Sequence, residues 1–188
     1  PLVQRGMSAG NLAGLSDETM GAMAIALKRS NISGDQAGTA LRTISSKLVA
    51  PTNKGLAALA SAGIDYDSFT KMPGAGLSVE NLEKKFKQDF GKGFTDDIRK
   101  SLESVLSDAD TVGNRGSFVQ AVQEEVEGLF QKNKQGKMAA SDAAKIAKKV
   151  GEFHKFSVEN VDAEGLLNAI LSKDPSLGVL NAFATDKH

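Results

Sequence analysis

The stretch "ISGDQAGTALRTISSKLVAPTNKGLAALASAGI", from Ile32 to Ile64, decides the fold class. Apolar residues recur at helical spacing in both halves of it: Leu41, Ile44 and Leu48 in the first half, and Leu56, Leu59 and Ala60 in the second. Such spacing is typical of amphipathic helices. We therefore predict two helices, with Pro51 ending the first and standing at the first position of the second.

The ends of these helices carry recognisable signals. Ser33 and Gln36 form a capping-box pattern, in which each side chain accepts a hydrogen bond from the other residue's backbone N–H. Gly63 stands where a helix often ends in a left-handed residue, and Ile64 can make the hydrophobic contact that accompanies such an ending. We interpret Gly34 and Gly63 as residues that mark helix ends.

Gly38 needs a different explanation, because it lies inside the first predicted helix. A glycine there costs ~1 kcal/mol relative to alanine. With Ala37 and Ala40 it forms a smooth face, so we predict close packing against another helix. The expected partner is the helix that carries Met20, Met23 and Leu27. The alternative is a glycine that is merely tolerated.

Helical periodicity continues along most of the chain, and no run alternates like a strand. We predict an all-α protein of seven to nine short helices in a compact or two-lobed arrangement. Further N-caps are predicted at Ser16, at Thr95 and at Ser117, which forms a capping box with Gln120. Loops are predicted at "DADTVGNRG" (108–116) and "KNKQGK" (132–137), and a last helix is predicted to start at Asp174-Pro175.

The clearest break is "MPGAG" at 72–76, where a proline and two glycines interrupt the helical pattern. We interpret this stretch as a linker. The predicted organisation is a helical segment over 1–71, the linker over 72–76 and a second helical segment over 77–188.

Composition excludes several kinds of site. Lys and Arg number 23, as do Asp and Glu, so the formal net charge is zero and gives no general attraction to nucleic acid or anionic membranes. The absence of cysteine excludes disulfides and thiolate metal sites. "FGKGFT" lacks the spacing of a phosphate loop. We predict no enzyme activity, catalytic residue, metal, cofactor or small-molecule substrate, and no membrane span in this segment.

The region from about Leu12 to Ile64 resembles the core region of phage tail tape measure proteins. The matching blocks follow one another in order: "GLSDETMGAMAIAL" (14–27), "AGTALR" (37–42), an "L..PT" junction (48–52) and a helix ending in "GI" (63–64). The resemblance implies a structural protein of the virion tail that helps set tail length and assemble the tail tube. It also implies release at genome ejection and residence in the host cytoplasm during assembly.

The implied partners are the tail tube and other phage tail proteins, and self-association is a further expectation. Lysines concentrate between Lys132 and Lys155, and three of them share a helix face: Lys145, Lys148 and Lys149. This face predicts a contact with DNA or with the tube wall, or else a solvated surface. An alternative function is therefore a helical binding module for DNA or a tail protein. A minor alternative is a cell-wall hydrolase, because some tape measure proteins carry such domains.

Overall fold

The computed structural model describes residues 14–29 and 33–173, together with positions 178 and 180. Within these residues the fold is all-α, as predicted, with no strand and only two isolated bridges, between Thr70 and Val161 and between Lys132 and Met138. Short 3₁₀ helices lie at Tyr66–Phe69 and Glu127–Leu129. The described residues form nine α-helices: α1 (Asp17–Arg29), α2 (Gly34–Val49), α3 (Asn53–Ser61), α4 (Val79–Phe90), α5 (Asp96–Ser107), α6 (Ala109–Gly113), α7 (Arg115–Val126), α8 (Ala140–Asn160) and α9 (Ala163–Lys173).

The predicted capping box at Ser33 and the predicted ending at Gly63 and Ile64 are confirmed. The backbone N–H of Gln36 donates to Ser33 Oγ at 3.4 Å, and that of Ser33 donates to Gln36 Oε1 at 3.2 Å. At the end of α3 the N–H of Ile64 donates to the Leu59 carbonyl at 2.9 Å, while Gly63 has a φ of 75°. This is the Schellman ending, in which glycine accepts the left-handed conformation at low cost.

The junction between α2 and α3 differs from the prediction. Pro51 does not begin α3; Thr52 is the N-cap, and its hydroxyl accepts from the Gly55 N–H at 3.1 Å. Pro51 instead acts on the residue before it, because a proline disfavours helical angles there. Ala50 accordingly leaves the helical region, with φ −122° and ψ 72°, and α2 ends at Val49.

A second correction concerns residues 108–117. Part of the predicted loop forms α6, because Asp108 caps it and Val112 is fully buried beneath it. Asn114, not Ser117, caps α7: its Oδ1 accepts from the Ser117 N–H at 2.9 Å. The caps at Ser16 and Thr95 and the loop at 132–137 are confirmed. The helix predicted from Asp174-Pro175 lies outside the described residues.

Residues on both sides of the predicted linker contribute to one hydrophobic core. The Leu77 N–H donates to the Val49 carbonyl at 2.8 Å, and Ala75 is only 1% exposed. At Gly76, with φ 105°, a Cβ would lie 2.9 Å from the Tyr66 ring. Residues 75–77 are therefore packed tightly into the body of the protein, while the division of the chain into two segments stays a prediction.

Helices α4 and α8 position the surface described next. Helix α8 packs along α7 and also contacts α4. The end of α4 is fixed by three aromatic contacts: Phe86 lies 5.0 Å from Phe90 and 5.2 Å from Phe94, and Phe90 lies 5.5 Å from Phe130. Aromatic pairs at these separations add to the stability that burial provides. The surface between α4 and α8 therefore rests on packed aromatic side chains.

Candidate functional site

Two adjoining surface cavities, of about 370 and 430 Å³, run along α4. Asn81 and Lys84 line both, and we call the two cavities together the α4 groove. Its volume is in the range that binding clefts occupy. The groove is lined by residues 73, 74, 81, 84, 85, 88, 152, 153 and 156 in one half, and by 51, 56, 60, 63–67, 78, 80, 81 and 84 in the other.

The apolar lining of the groove differs between its halves. The half next to α8 has an aromatic lining, Phe153 and Phe156. The other half has an aliphatic lining from the end of α2 and from α3: Pro51, Leu56, Ala60 and Ile64. Met72, half exposed, directly precedes the lining residue Pro73. Both halves can therefore accept apolar side chains.

Charge also differs between the halves. Lys84, Lys85 and Glu152 line the aromatic half, whereas Asp65, Asp67 and Glu80 line the aliphatic half with Lys84. Lys84 Nζ lies 2.7 Å from Glu80 Oε1, and this hydrogen bond raises the pKa of Lys84. Lys85 Nζ lies 3.2 Å from Asp89 Oδ2, so both lysines of the aromatic half are paired with carboxylates of α4.

The middle of the groove is fixed by Asn81. Its Nδ2 donates to the carbonyls of Ala75 and Gly76, at 3.2 Å each. Its backbone N–H donates to Ser78 Oγ at 3.1 Å, which is the N-cap bond of α4. These bonds tie the 72–76 stretch to α4, so the groove is pre-formed.

The predicted basic face on α8 is partly engaged inside the molecule. Lys145 Nζ donates to the Asp89 carbonyl at 3.3 Å and lies 5.0 Å from the centre of the Phe90 ring. Lys149 Nζ lies 4.0 Å from Asp89 Oδ1. Lys148 is exposed. Two of the three lysines thus connect α8 to the end of α4, and a role of this face in binding stays a prediction.

The loop before α8 also carries exposed lysines. Asn133 organises this loop: its Oδ1 accepts from the N–H groups of Gln135 and Lys137, at 2.9 and 3.0 Å. Gly136 completes the turn with a φ of 74°. The loop holds three exposed lysines, Lys132, Lys134 and Lys137. We call residues 132–138 the lysine hairpin.

The small-residue face of α2 is largely buried. Ala37 and Gly38 are buried, and Ala40 is half-buried. Helix α2 packs against α1, whose Met20 and Met23 are buried in the same core. These positions are compatible with the predicted packing, and the requirement for a glycine at 38 stays a prediction.

His154 is a buried histidine with a structural environment. Its Nε2 lies 2.8 Å from the Val112 carbonyl, and its ring lies 5.1 Å from that of Phe118. Burial lowers the pKa of His154, and the nearby Arg115 lowers it further, while the bond to Val112 opposes the shift. The neutral ring therefore connects α8 to α6 and α7.

In the described part of the chain, no group of three or more His, Cys, Asp or Glu side chains could hold a metal ion. Nor is any helix within residues 14–29 and 33–173 long and apolar enough to cross a membrane. Sequence reasoning missed the α4 groove, because its lining comes from segments far apart in the chain. The one local signal was the break at 72–76, which forms part of its rim.

No protein-family model, no curated protein and no solved structure matches this chain.

Proposed function

We propose that the chain is a structural segment of a phage or prophage tail tape measure protein. It would help set tail length and assemble the tail tube, contact the tube and other tail proteins, and leave the tail at genome ejection. The observation that carries the proposal is the order of the matching blocks between residues 12 and 64. The blocks at 37–42 and 63–64 fall in α2 and at the end of α3.

The compact helical packing supports a proposal about the place of this segment in such a protein. A helix rises ~1.5 Å per residue, so 188 residues in one helix would span about 280 Å. The longest described helix, α8, has 21 residues and a length of about 30 Å. We therefore propose that this segment is a folded unit, and that extended parts of the parent protein act as the ruler.

The proposal is tested by unfolding the segment within the parent protein. Leu48 is fully buried, so Leu48→Asp should unfold it. Phage carrying this variant should form capsids but lack normal tails in electron micrographs. Ala57→Ser, on the exposed side of α3, is the control and should give normal tails. Normal tails from the Leu48→Asp variant would contradict a structural role in tail assembly.

The proposed role involves no catalysis. A zymogram of the purified chain on peptidoglycan tests this part directly. We expect no cleared zone, and clearing by the wild-type chain would favour the hydrolase alternative.

The exposed lysine hairpin favours one second candidate, a helical module that contacts DNA phosphates. Lysine–phosphate contacts release counterions, so such binding must weaken steeply with salt. Electrophoretic mobility shifts with duplex DNA at increasing salt would test it, comparing the wild-type chain with the triple variant Lys132→Gln, Lys134→Gln, Lys137→Gln. Binding that is equal in the two proteins would exclude the hairpin as the contact.

A further inference from the structure

Helix α2 carries polar side chains in the centre of the protein. Residues 44–52, which are its second half and the turn that follows, are buried without interruption. Helices α1, α6 and α9 all contact α2. Ser45 and Ser46 are 0% and 2% exposed at this place. Buried hydroxyl groups normally form hydrogen bonds within the protein, because an unpaired one loses its bonds to water on folding.

A third buried serine lies on α8. Ser157 is 0% exposed, and it lies three residues after the buried His154 and four residues before the buried Val161. This spacing places Ser157 on the core side of the helix, where apolar residues are usual. We call Ser45, Ser46 and Ser157 the core serines.

None of the core serines forms a side-chain hydrogen bond within the part of the chain that the structure describes. Other serines on helices do form one. Ser61 Oγ, on the exposed side of α3, donates to the Ala57 carbonyl at 2.9 Å. Ser107 Oγ donates to the Glu103 carbonyl at the same distance of 2.9 Å. A bond to the carbonyl four residues earlier is the usual way in which a helix accommodates serine. Because the core serines lack this bond, burial of their hydroxyls destabilises the folded state.

We propose that the core serines are a conformational device, which keeps the stability of the folded unit low so that the unit unfolds readily. Alanine differs from serine only by the hydroxyl oxygen, so it would occupy each position without an unpaired polar group. The core serines therefore do not serve packing. Each of them shifts the folding equilibrium towards the unfolded chain.

The use of this device rests on the proposed function. A compact chain of 188 residues has a radius of gyration of about 16 Å, whereas a single helix is about 10–12 Å across. Release at genome ejection takes the chain out through the tail tube, and unfolding turns a wide unit into a narrow one. A destabilised folded state also unfolds faster wherever the affected contacts form late in folding.

Three single variants and their combination test the effect on stability: Ser45→Ala, Ser46→Ala and Ser157→Ala. Ser104→Ala is the matched control, because Ser104 is exposed in the middle of α5. Alanine also has the higher helix propensity, and the control measures that gain alone. Urea and thermal unfolding of the full 188-residue chain measure the folding equilibrium constant and the melting temperature of each variant.

We expect Ser104→Ala to raise the folding equilibrium constant about twofold. Each core-serine variant should raise this constant about fivefold to thirtyfold, and it should raise the melting temperature by about 2–8 °C. The triple variant should be more stable than any single one. Core-serine variants that gain no more stability than Ser104→Ala, or that lose stability, would overturn the proposal.

Phage that carry the triple variant test the use of the device. Their tails should look normal in electron micrographs, because the fold is kept. Genome release is triggered in purified particles and followed with a DNA-binding dye. It should be several-fold slower than in wild-type phage or in Ser104→Ala phage.

The outcomes separate this proposal from the proposed function. Release at the wild-type rate by phage whose chain is measurably stabilised would contradict the device and leave the proposed function intact. Absence of the chain from virions would contradict the proposed function, while the unfolding measurements would still decide whether the core serines lower stability.

Discussion

Glu83 on α4 binds the guanidinium of Arg99 on α5 through both carboxylate oxygens. Arg99 Nε lies 3.1 Å from Oε2, and Nη2 lies 3.0 Å from Oε1. The Phe94 N–H also donates to Oε1, at 3.1 Å, and Lys87 Nζ lies 3.1 Å from the same atom. One buried carboxylate thus holds α4, α5 and the turn between them, next to the aromatic cluster that supports α8.

These bonds predict a pH-dependent contribution to stability. The hydrogen bond from Arg99 is the main cause that lowers the pKa of Glu83 from 4.5 to about 2. Because the folded state has the lower pKa, the stabilisation is complete above pH 4.5 and is lost as the pH falls towards 2. We expect Glu83→Gln to reduce the free energy of unfolding by about 1–2 kcal/mol at neutral pH, allowing for screening at the partly exposed partners.

Urea unfolding at a series of pH values checks this prediction. The difference in free energy of unfolding between wild type and Glu83→Gln should narrow below pH 4.5. Glu80→Gln, on the exposed side of the same helix, is the control and should have a small effect. If this difference in free energy stays constant at all pH values, the charge of Glu83 is not the stabilising feature.

Gly38 and Gly21 form a matched pair of helix-interior glycines. Gly38 is buried in α2, whereas Gly21 is exposed in α1 with open space where a Cβ would lie. Gly38→Leu should lower the free energy of unfolding by about 1–3 kcal/mol through overpacking. Gly21→Ala should raise it by up to about 1 kcal/mol through better helix propensity. Thermal or urea unfolding measures both, and a Gly38→Leu protein as stable as wild type would show that residue 38 makes no close contact.

His154 should make the protein less stable in mild acid. Its pKa in the folded state is lowered, chiefly by burial, so the unfolded chain takes up a proton more readily as the pH falls below 6.5. The free energy of unfolding should then fall by up to about 1 kcal/mol per pH unit. His154→Gln should lose most of this slope, as measured by urea unfolding on either side of pH 6.5. If the free energy of unfolding of His154→Gln depends on pH as it does in the wild type, other titratable groups cause the loss of stability.

The three lysines of the α8 face should differ in their effect on stability. Lys145→Ala and Lys149→Ala should each lower the free energy of unfolding by about 0.5–1 kcal/mol, because both side chains contact the end of α4. Lys148→Ala should change it by less than about 0.5 kcal/mol. Thermal unfolding of the three variants measures these changes in the free energy of unfolding. Equal changes for all three would contradict the structural role given to Lys145 and Lys149.

Local signals in the sequence predicted local structure well. The Ser33–Gln36 capping box and the ending at Gly63 and Ile64 depend on atoms within a few residues, so the pattern determines them. The prediction of Ser117 as the N-cap of α7 was wrong, and the reason is also local. Asn114 and Ser117 are both good capping residues, and burial of Phe118 and Val112 on either side of Asn114 favours the earlier start.

Contacts between distant segments could not be predicted. The bond from the Lys71 N–H to the Asn160 carbonyl, at 2.7 Å, joins residues that no periodicity connects. Lys47 is almost completely buried in α2, although a lysine at that spacing predicts a solvated position. The α4 groove likewise exists only after α3, α4 and α8 have come together. Its residues are ordinary in sequence, so only the tertiary structure identifies it.

The most direct measurement of the central proposal is quantitative mass spectrometry of purified particles from the phage or prophage that encodes the chain. Peptides from residues 14–173 should be present in intact virions at a fixed ratio to the tail tube protein. After genome ejection is triggered and the particles are re-purified, these peptides should be depleted, while those of the tube protein remain. Peptides that occur only in the cell lysate, and never in virions or isolated tails, would contradict the proposal.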